Sequence, residues 1–134
     1  FILRSGNGLF DALSAILPEA AIGHLSVQRD PETCRPVFYH EKLSADINER
    51  QIIIADPMLA TGGSVIMAAV RMKKKGCNGL VFVCLNAAPE GVSAFQSAHP
   101  DILIINAALD GQLDKNCYIL PSFGDACDRI YNTF

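Results

Sequence analysis

The sequence predicts one α/β domain over residues 1–134: an open, mainly parallel sheet flanked by helices, with a β-arm ahead of it. Continuous apolar runs at Ile52–Ile54, Leu80–Leu85 and Ile102–Ile105 are typical of strands buried on both faces of a parallel sheet. Segments with helical periodicity lie between these runs. The resulting βαβαβ order favours a parallel sheet, with the first run as its central strand.

Composition and charge limit the partners. The chain has 134 residues, 50% of them hydrophobic, which is enough to form one buried core. Its net charge of −3 provides no basic field for nucleic acid, and no apolar run approaches the roughly 18 residues of a membrane span. We therefore expect neither nucleic acid nor a membrane as a partner.

The cysteines indicate a reducing compartment. Five are present, scattered along the chain and never in C-x-x-C spacing: Cys34, Cys77, Cys84, Cys117 and Cys127. This pattern is typical of reduced thiols used as small apolar residues, so we expect a cytoplasmic protein. His24, His40 and His99 lack ligand spacing with each other or with a cysteine, so no protein metal site is expected.

The loop after the first buried run has the composition of a phosphate-binding loop. Thr61, Gly62, Gly63 and Ser64 offer two hydroxyls and sterically open N–H groups at the start of the next predicted helix. The unpaired N–H groups and the positive end of the helix dipole suit a phosphate at this point. The same residues also serve as an ordinary helix cap, and the loop alone leaves both interpretations open.

Asp56 ends the strand that precedes this loop. A carboxylate repels a phosphate, so we expect Asp56 to accept hydrogen bonds from sugar hydroxyls or to help hold a cation. An acid beside a phosphate loop indicates a phosphorylated sugar as ligand. A Walker A loop is excluded because Gly63, not Lys, precedes Ser64, and a nucleophile elbow is excluded because Ile66 stands where Gly is needed.

The chain begins with a further strand, loop and helix. Phe1–Leu3 has the pattern of a strand interior, and Leu9–Leu17 has an apolar helical face. Arg4 follows the strand at the edge where open sheets bind ligands, so it is a candidate phosphate ligand, with a surface arginine as the alternative. Because Phe1 already lies inside a strand, we expect the chain to lack its beginning.

Two segments predict a β-arm. Ala21–Val27 and Val37–Leu43 alternate loosely between apolar and polar residues and are expected to pair as a hairpin. The turn-forming segment Gln28–Thr33 between them carries another basic residue, Arg29. The arm therefore brings a second arginine as a candidate ligand.

The last motif combines a short strand with a turn. The apolar segment Cys117–Leu120 runs towards Gly124–Ala126, which presents backbone donors and acceptors at a loop. Such edges recognise small planar heterocycles. The alternative is an ordinary turn in which Asp125 and Asp128 cap local N–H groups.

These motifs together resemble one family. Asp56–Ser64 is similar to the phosphoribosyl-pyrophosphate loop of uracil phosphoribosyltransferases, which implies the type I phosphoribosyltransferase fold, a Rossmann-like sheet. Further segments resemble that family's segments in the same order across essentially the whole chain: Leu3–Gly6, Gln28–Thr33, Ala87–Gly91, Tyr118–Pro121 and Gly124–Ala126. Ser5 and Asn7 depart from the family, which commonly has Ala and Leu there, as does Cys127, where Gly is common. The family also carries a substantial N-terminal segment ahead of the part that this chain resembles.

The resemblance implies a role for each site residue. The implied ligands of 5-phospho-α-D-ribose 1-diphosphate are Arg4, Arg29, Asp56, Pro57, Met58, Leu59, Ala60, Thr61, Gly62, Gly63, Ser64 and Asp125. Among them the two arginines would hold the diphosphate, Asp56 the ribose hydroxyls, and the loop from Leu59 to Ser64 the 5′-phosphate. The implied ligands of uracil are Ile119, Gly124, Asp125 and Ala126. Asp56, Arg29 and Asp125 would carry the catalysis.

The implied reaction transfers phosphoribosyl from 5-phospho-α-D-ribose 1-diphosphate to N1 of uracil, giving UMP and diphosphate. Because few basic residues surround the site, we expect Mg²⁺ bound through the diphosphate oxygens of the substrate. We also expect a homo-oligomer, a dimer or higher. Two alternatives are a non-catalytic nucleotide-sensing regulatory module that retains the same loop, and a plain α/β scaffold with capped loops.

Overall fold

A computed structural model describes residues 1–30, 32–33 and 35–133, with Arg29 described by its backbone alone. The described helices are α1 (Phe10–Ile16), α2 (Gly63–Lys74), α3 (Pro89–Ala98) and α4 (Ala126–Tyr131), with 3-10 turns at Ser5–Leu9 and Ile47–Glu49. The described strands are β1 (Ile2–Leu3), β2 (His24–Arg29), β3 (Pro36–Lys42), β4 (Ile52–Ala55), β5 (Met58–Leu59), β6 (Leu80–Ala87), β7 (Leu103–Leu109), β8 (Gln112–Leu113) and β9 (Ile119–Leu120). None of the helices within these ranges is long and apolar enough to cross a membrane.

The main sheet is open and parallel, as predicted, with β6 at its centre. β6 pairs in parallel with β4, β5 and β7, and α2 and α3 connect consecutive strands. The expectation that the strand before Asp56 is central is wrong, because within the described chain β4 pairs with β6 alone. Spatial order depends on where each crossover returns the chain, which the apolar content of a strand does not determine.

One face of the main sheet forms the core. Phe82 and Cys84 of β6 point into it, and they meet Ala68 and Ala69 of α2 and Phe95 of α3. The rings of Phe82 and Phe95 lie 5.6 Å apart in a tilted pair, a favoured aromatic geometry. Small residues on α2 let the helix lie close to the sheet, which brings its N-terminus to the edge where β5 ends.

The opposite face of β6 and β7 is open. Leu103 is 60% exposed, Ile105 50% and Leu85 48%, so the expectation that these strands are buried on both faces is wrong. β7 lies at the edge and, in the described chain, pairs with β6 alone. An apolar run predicts a strand, but it cannot tell how many faces of that strand a helix covers.

The predicted β-arm is confirmed. β2 pairs antiparallel with β3 and parallel with β1 in a second sheet. The guanidinium of Arg71 on α2 stacks on the ring of Phe38 at 3.6 Å and pairs with Glu41 at 3.0 Å. Lys75 also pairs with Glu41, at 2.7 Å, and its hydrogen bond is the main reason that the pKa of Glu41 lies below its usual value. These contacts attach the arm to the helix that begins at the predicted phosphate loop.

Candidate functional site

A cavity of about 820 Å³ opens where β1, β4 and β5 end. Most of the predicted site residues line it: Arg4, Asp56, Met58, Leu59, Ala60, Thr61, Gly62, Gly63, Ser64, Ile119, Gly124, Asp125 and Ala126. Pro57 lies behind the cavity, where its carbonyl accepts hydrogen bonds from the N–H groups of Leu85 and Asn86, each at 3.0 Å. The side chain of Arg29 lies outside the described residues. The structure thus brings two distant loops to one cavity.

The predicted phosphate loop connects β5 to α2. Its backbone turns at Gly62, whose φ of 82° lies in the left-handed region that favours glycine. Gly62 is also the N-cap of α2 and has no side chain to cap it, while its carbonyl accepts the N–H of Ile66 at 2.9 Å. The first N–H groups of α2 therefore begin at the cavity, where an anion can meet them.

Gly91 of α3 allows a close approach to this loop. A Cβ built on Gly91 would lie 2.2 Å from the carbonyl oxygen of Ala60 and 2.7 Å from that of Leu59, both below any real contact distance. Gly91 was not among the predicted site residues. A glycine inside a helical pattern was the available signal, because it costs helix stability and so indicates a packing requirement.

Asp56 lies at the floor of the cavity and is only 8% exposed. Its N–H donates to the carbonyl of Val83 at 3.2 Å, and its Oδ1 accepts a hydrogen bond from the hydroxyl of Ser5 at 2.7 Å. Burial raises the pKa of Asp56 to about 7, although Ser5, the ammonium group of Phe1 and the N–H of Met58 lower it. The carboxylate therefore titrates near neutral pH.

Arg4 lines the cavity, and α4 holds its side chain. The guanidinium lies 3.9 Å from a carboxylate oxygen of Asp128, donates to Thr133 at 3.3 Å and sits 5.4 Å from the ring centre of Tyr131. The Tyr131 hydroxyl in turn donates to the Arg4 carbonyl at 2.9 Å. Half of the Arg4 side chain is exposed, which leaves it able to meet a ligand in the cavity.

The predicted base loop follows the hairpin of β8 and β9. Ile119 is buried, and Gly124 has a φ of 78°, so the chain turns left-handed just before α4. The Asp125 carboxylate accepts the N–H of Asp128 at 3.1 Å, which is the local cap that the sequence left as an alternative. Capping fixes the start of α4 and with it the backbone of Gly124–Ala126 at the cavity wall.

Two further cavity residues, Lys115 and Asn116, were missed, and Cys117 lines the cavity beside them. They belong to a turn in which the Asp114 carboxylate accepts the N–H groups of Asn116 and Tyr118, each at 2.8 Å. Asp often forms such turns by accepting the N–H two residues on, yet this signal does not reveal that the turn faces a ligand site. Lys115 adds a cation to a cavity whose predicted basic residues were Arg4 and Arg29.

A protein metal site at the cavity would need several His, Cys, Asp or Glu side chains close together. Within the described chain, no group of three or more His, Cys, Asp or Glu side chains stands close enough to hold a metal ion. The two carboxylates that line the cavity from predicted positions, Asp56 and Asp125, already accept hydrogen bonds from Ser5 and from the N–H of Asp128. This donor set does not form a cage for a resident metal.

Comparison with known proteins identifies the family. The family model described as uracil phosphoribosyltransferase matches residues 1–133. Uracil phosphoribosyltransferases of Streptococcus pneumoniae (strain ATCC BAA-255 / R6) and Anoxybacillus flavithermus (strain DSM 21510 / WK1) are 52% and 51% identical over 132 residues. These alignments cover 98% of the chain and 63% of each relative, so the chain spans less than two thirds of the length of the curated relatives it matches.

Two solved structures share the fold of this chain. The structure of the AQ2163 protein from Aquifex aeolicus has a TM-score of 0.92 and 30% identity, covering 98% of this chain and 63% of that one. A purine phosphoribosyltransferase from Pyrococcus horikoshii Ot3 shares the fold, with a TM-score of 0.58 and 20% identity over 85% of this chain and 77% of that one. The chain belongs to the uracil phosphoribosyltransferase family.

Proposed function

We propose that the protein transfers phosphoribosyl from 5-phospho-α-D-ribose 1-diphosphate to N1 of uracil, giving UMP and diphosphate. The observation that carries this proposal is the single cavity of about 820 Å³ lined by the phosphate loop, by Asp56 and by the base loop. A transfer reaction needs donor and acceptor side by side, and orienting them supplies much of the rate enhancement. The family relation supports the same reaction.

The donor would occupy the half of the cavity next to α2. The start of α2 at Gly62 and Gly63, together with the hydroxyls of Thr61 and Ser64, suits the 5′-phosphate. Asp56 would accept hydrogen bonds from the ribose hydroxyls. Arg4 lies at the rim, where it would reach the diphosphate.

The protein must stabilise the charges that develop as the bond between the ribose and the diphosphate breaks. As the bond to diphosphate breaks, positive charge grows on the ribose and negative charge on the leaving group, by analogy with glycosidic cleavage. The Asp56 carboxylate would stabilise the first and Arg4, Arg29 and Lys115 the second. No protein nucleophile is needed, because N1 of uracil attacks the sugar directly.

Uracil would lie against the base loop. Its N3–H donor stands between two carbonyl acceptors, a pattern that fixed backbone groups at Ile119 and Gly124–Ala126 can match. A built Cβ at Gly124 meets nothing within 4 Å, so the reason for glycine there is the left-handed turn and not a crowded backbone. The turn sets which backbone groups face the base.

Mg²⁺ would enter with the donor, bound through the diphosphate oxygens. This fits a cavity whose nearby acids, Asp56 and Asp125, are engaged with Ser5 and with the start of α4. The metal would neutralise charge on the leaving group. Excess EDTA should therefore abolish UMP formation, and added Mg²⁺ should restore it, whereas a chelator selective for zinc should have no effect. Full turnover in excess EDTA would remove the metal from the mechanism.

The buried cysteines support a cytoplasmic location. We place the protein in the cytoplasm, in keeping with the thiols of Cys77 and Cys84, which are buried in the core as small apolar side chains.

A homo-oligomer, a dimer or higher, is supported by the exposed apolar side chains of Leu85, Leu103 and Ile105. Sedimentation equilibrium over a hundredfold concentration range tests this, and a monomer throughout would contradict it.

The reaction is tested with labelled uracil, 5-phospho-α-D-ribose 1-diphosphate and Mg²⁺, followed by chromatography of UMP and release of diphosphate. We expect both products in equal amounts. Calorimetric binding of the donor in a parallel sample makes a negative result informative. Binding without UMP would indicate a regulatory module, and neither binding nor product would indicate a scaffold.

A further inference from the structure

Ser5 contacts the carboxylate at the centre of the site. Its hydroxyl donates a 2.7 Å hydrogen bond to Oδ1 of Asp56, across 51 positions in the sequence. We propose that Ser5 is a positioning residue that holds the Asp56 carboxylate in one orientation and in its ionised form, ready to accept the ribose hydroxyls. The inference rests on the proposed function for the role of Asp56, but its physical core, the control of that carboxylate by Ser5, can be tested without any substrate.

The backbone around Ser5 fixes the direction of this hydrogen bond. Ser5 begins the 3-10 turn that leaves β1, and the next residue, Gly6, lies against the end of β4. A Cβ built on Gly6 would stand 3.1 Å from the carbonyl oxygen of Ala55, so the close approach depends on glycine. This close packing of Gly6 on the end of β4 places the backbone of Ser5 next to Asp56.

Ser5 acts where the carboxylate has few other partners. Burial raises the pKa of Asp56, and the Ser5 hydrogen bond is the largest influence that lowers it; the ammonium of Phe1 and the N–H of Met58 add smaller contributions. Burial, together with the charge of Asp56, raises the pKa of the Cys84 thiol to about 12, so Cys84 stays neutral. The nearby cation of Arg4 is directed to Asp128 and Tyr131.

The ionised form matters for the proposed role. A carboxylate accepts hydrogen bonds from two sugar hydroxyls at once, whereas a protonated carboxyl must use one oxygen as a donor. A hydrogen bond from a hydroxyl to a charged oxygen strengthens as the charge appears, so it favours ionisation. Removing the hydroxyl should therefore leave Asp56 protonated to higher pH.

The experiment compares Ser5→Ala with Ser5→Thr, which keeps the hydroxyl, and with Ser97→Ala, an exposed serine on α3. The Asp56 carboxyl is titrated by infrared difference spectroscopy in the substrate-free protein, with its band assigned by its loss in Asp56→Asn. We expect the midpoint to rise by about one pH unit in Ser5→Ala and to stay in place in Ser5→Thr and Ser97→Ala. Every variant differs from wild type at one position only, so the other influences on Asp56 contribute equally to all of the curves.

The pH profile of transfer provides the second readout. The acid limb of kcat/KM for the phosphoribosyl donor should move up by the same amount in Ser5→Ala, while Ser97→Ala keeps the wild-type profile. Ser5→Cys, a weaker donor, should give an intermediate midpoint and serves if the alanine variant does not fold. An unmoved infrared midpoint in Ser5→Ala would overturn the inference, whether or not the protein forms UMP. A midpoint that rises in a protein that forms no UMP would support the control of Asp56 by Ser5 and would count against the proposed function alone.

Discussion

The proposed role of Asp56 requires a charged carboxylate at a position where burial disfavours charge. It is buried at the cavity floor, and its pKa is raised to about 7. The sequence could predict its position, because an acid that ends a buried strand at the ligand edge of a sheet is a recognisable pattern. The sequence could not predict the raised pKa, because that depends on how the 3-10 turn at Ser5–Leu9 and β6 close around it.

The raised pKa predicts a pH dependence of stability. The folded state holds a proton on Asp56 between about pH 4 and pH 7, whereas the unfolded chain has already released it, so stability falls as the pH rises through this window. Asp56→Asn removes the titrating group and should flatten this fall by about 1–4 kcal/mol, since 1 pH unit corresponds to about 1.4 kcal/mol. The same variant should lose most of its transfer activity while it stays folded.

Urea unfolding of wild type and Asp56→Asn at pH 5 and pH 8 checks this prediction. Ser97→Ala, measured under the same conditions, controls for substitution in general. Equal pH dependence in wild type and Asp56→Asn would mean that Asp56 does not titrate in this range, and full activity of the variant would remove the assigned role.

At the level of secondary structure, Gly91 lets α3 lie close to the predicted phosphate loop. Because a Cβ at this position would stand 2.2 Å from the Ala60 carbonyl oxygen, Gly91→Ala must move either the helix or the loop. We expect a loss of about 1–3 kcal/mol in unfolding free energy, as for other overpacked sites. Affinity for the phosphoribosyl donor should fall more than affinity for uracil, since the displaced atoms belong to the donor half of the cavity.

Calorimetry of both ligands, with denaturant unfolding alongside, measures this effect. Ser97→Ala on the same helix tests whether any added methyl or lost hydroxyl on α3 has a similar result. If Gly91→Ala binds the donor as wild type does, the close approach of α3 does not position the loop.

Most helices and strands could be predicted from local sequence patterns, but the neighbours that pair with them or cover them could not. The helix α2 and the pairing of β2 with β3 follow from apolar periodicity and turn residues. The two-residue strand β5 is too short for any periodic signal, and it pairs because β6 extends beyond β4 and offers free backbone groups. The exposure of β7 likewise depends on its neighbours, because it is decided by whether another element covers the second face of the strand.

At the scale of the whole molecule, the cavity joins segments from opposite ends of the chain. Arg4 from the first strand and loop, the loop before α2, and Gly124–Ala126 before α4 all line it. Each segment had a separate local signal in the sequence. Their convergence followed from resemblance to a family and not from spacing, because nothing in a linear pattern states that the ends of β1 and β5 and the start of α4 meet.

The base loop reaches the cavity through long-range hydrogen bonds. The Asn86 amide at the end of β6 donates to Asp110 at 2.6 Å and to Ser122 at 3.0 Å, so the segment between β9 and α4 is tied to the main sheet. Inserting one glycine after Ser122 should therefore displace the turn at Gly124 without unfolding the sheet. Uracil recognition should be lost, and binding of the phosphoribosyl donor should persist.

Competition between uracil and cytosine for transfer tests whether one cavity unites a donor half with a base half that reads uracil. Cytosine presents an unprotonated N3 and an amino group, and each mismatched, desolvated group costs about 1–3 kcal/mol, so wild type should prefer uracil by roughly 10²- to 10⁴-fold. The variant with a glycine inserted after Ser122 should lose this preference, whereas a glycine inserted after the exposed Glu19 should keep it. Equal use of the two bases by wild type, or an undiminished preference after the Ser122 insertion, would show that the loop at Gly124–Ala126 does not recognise uracil.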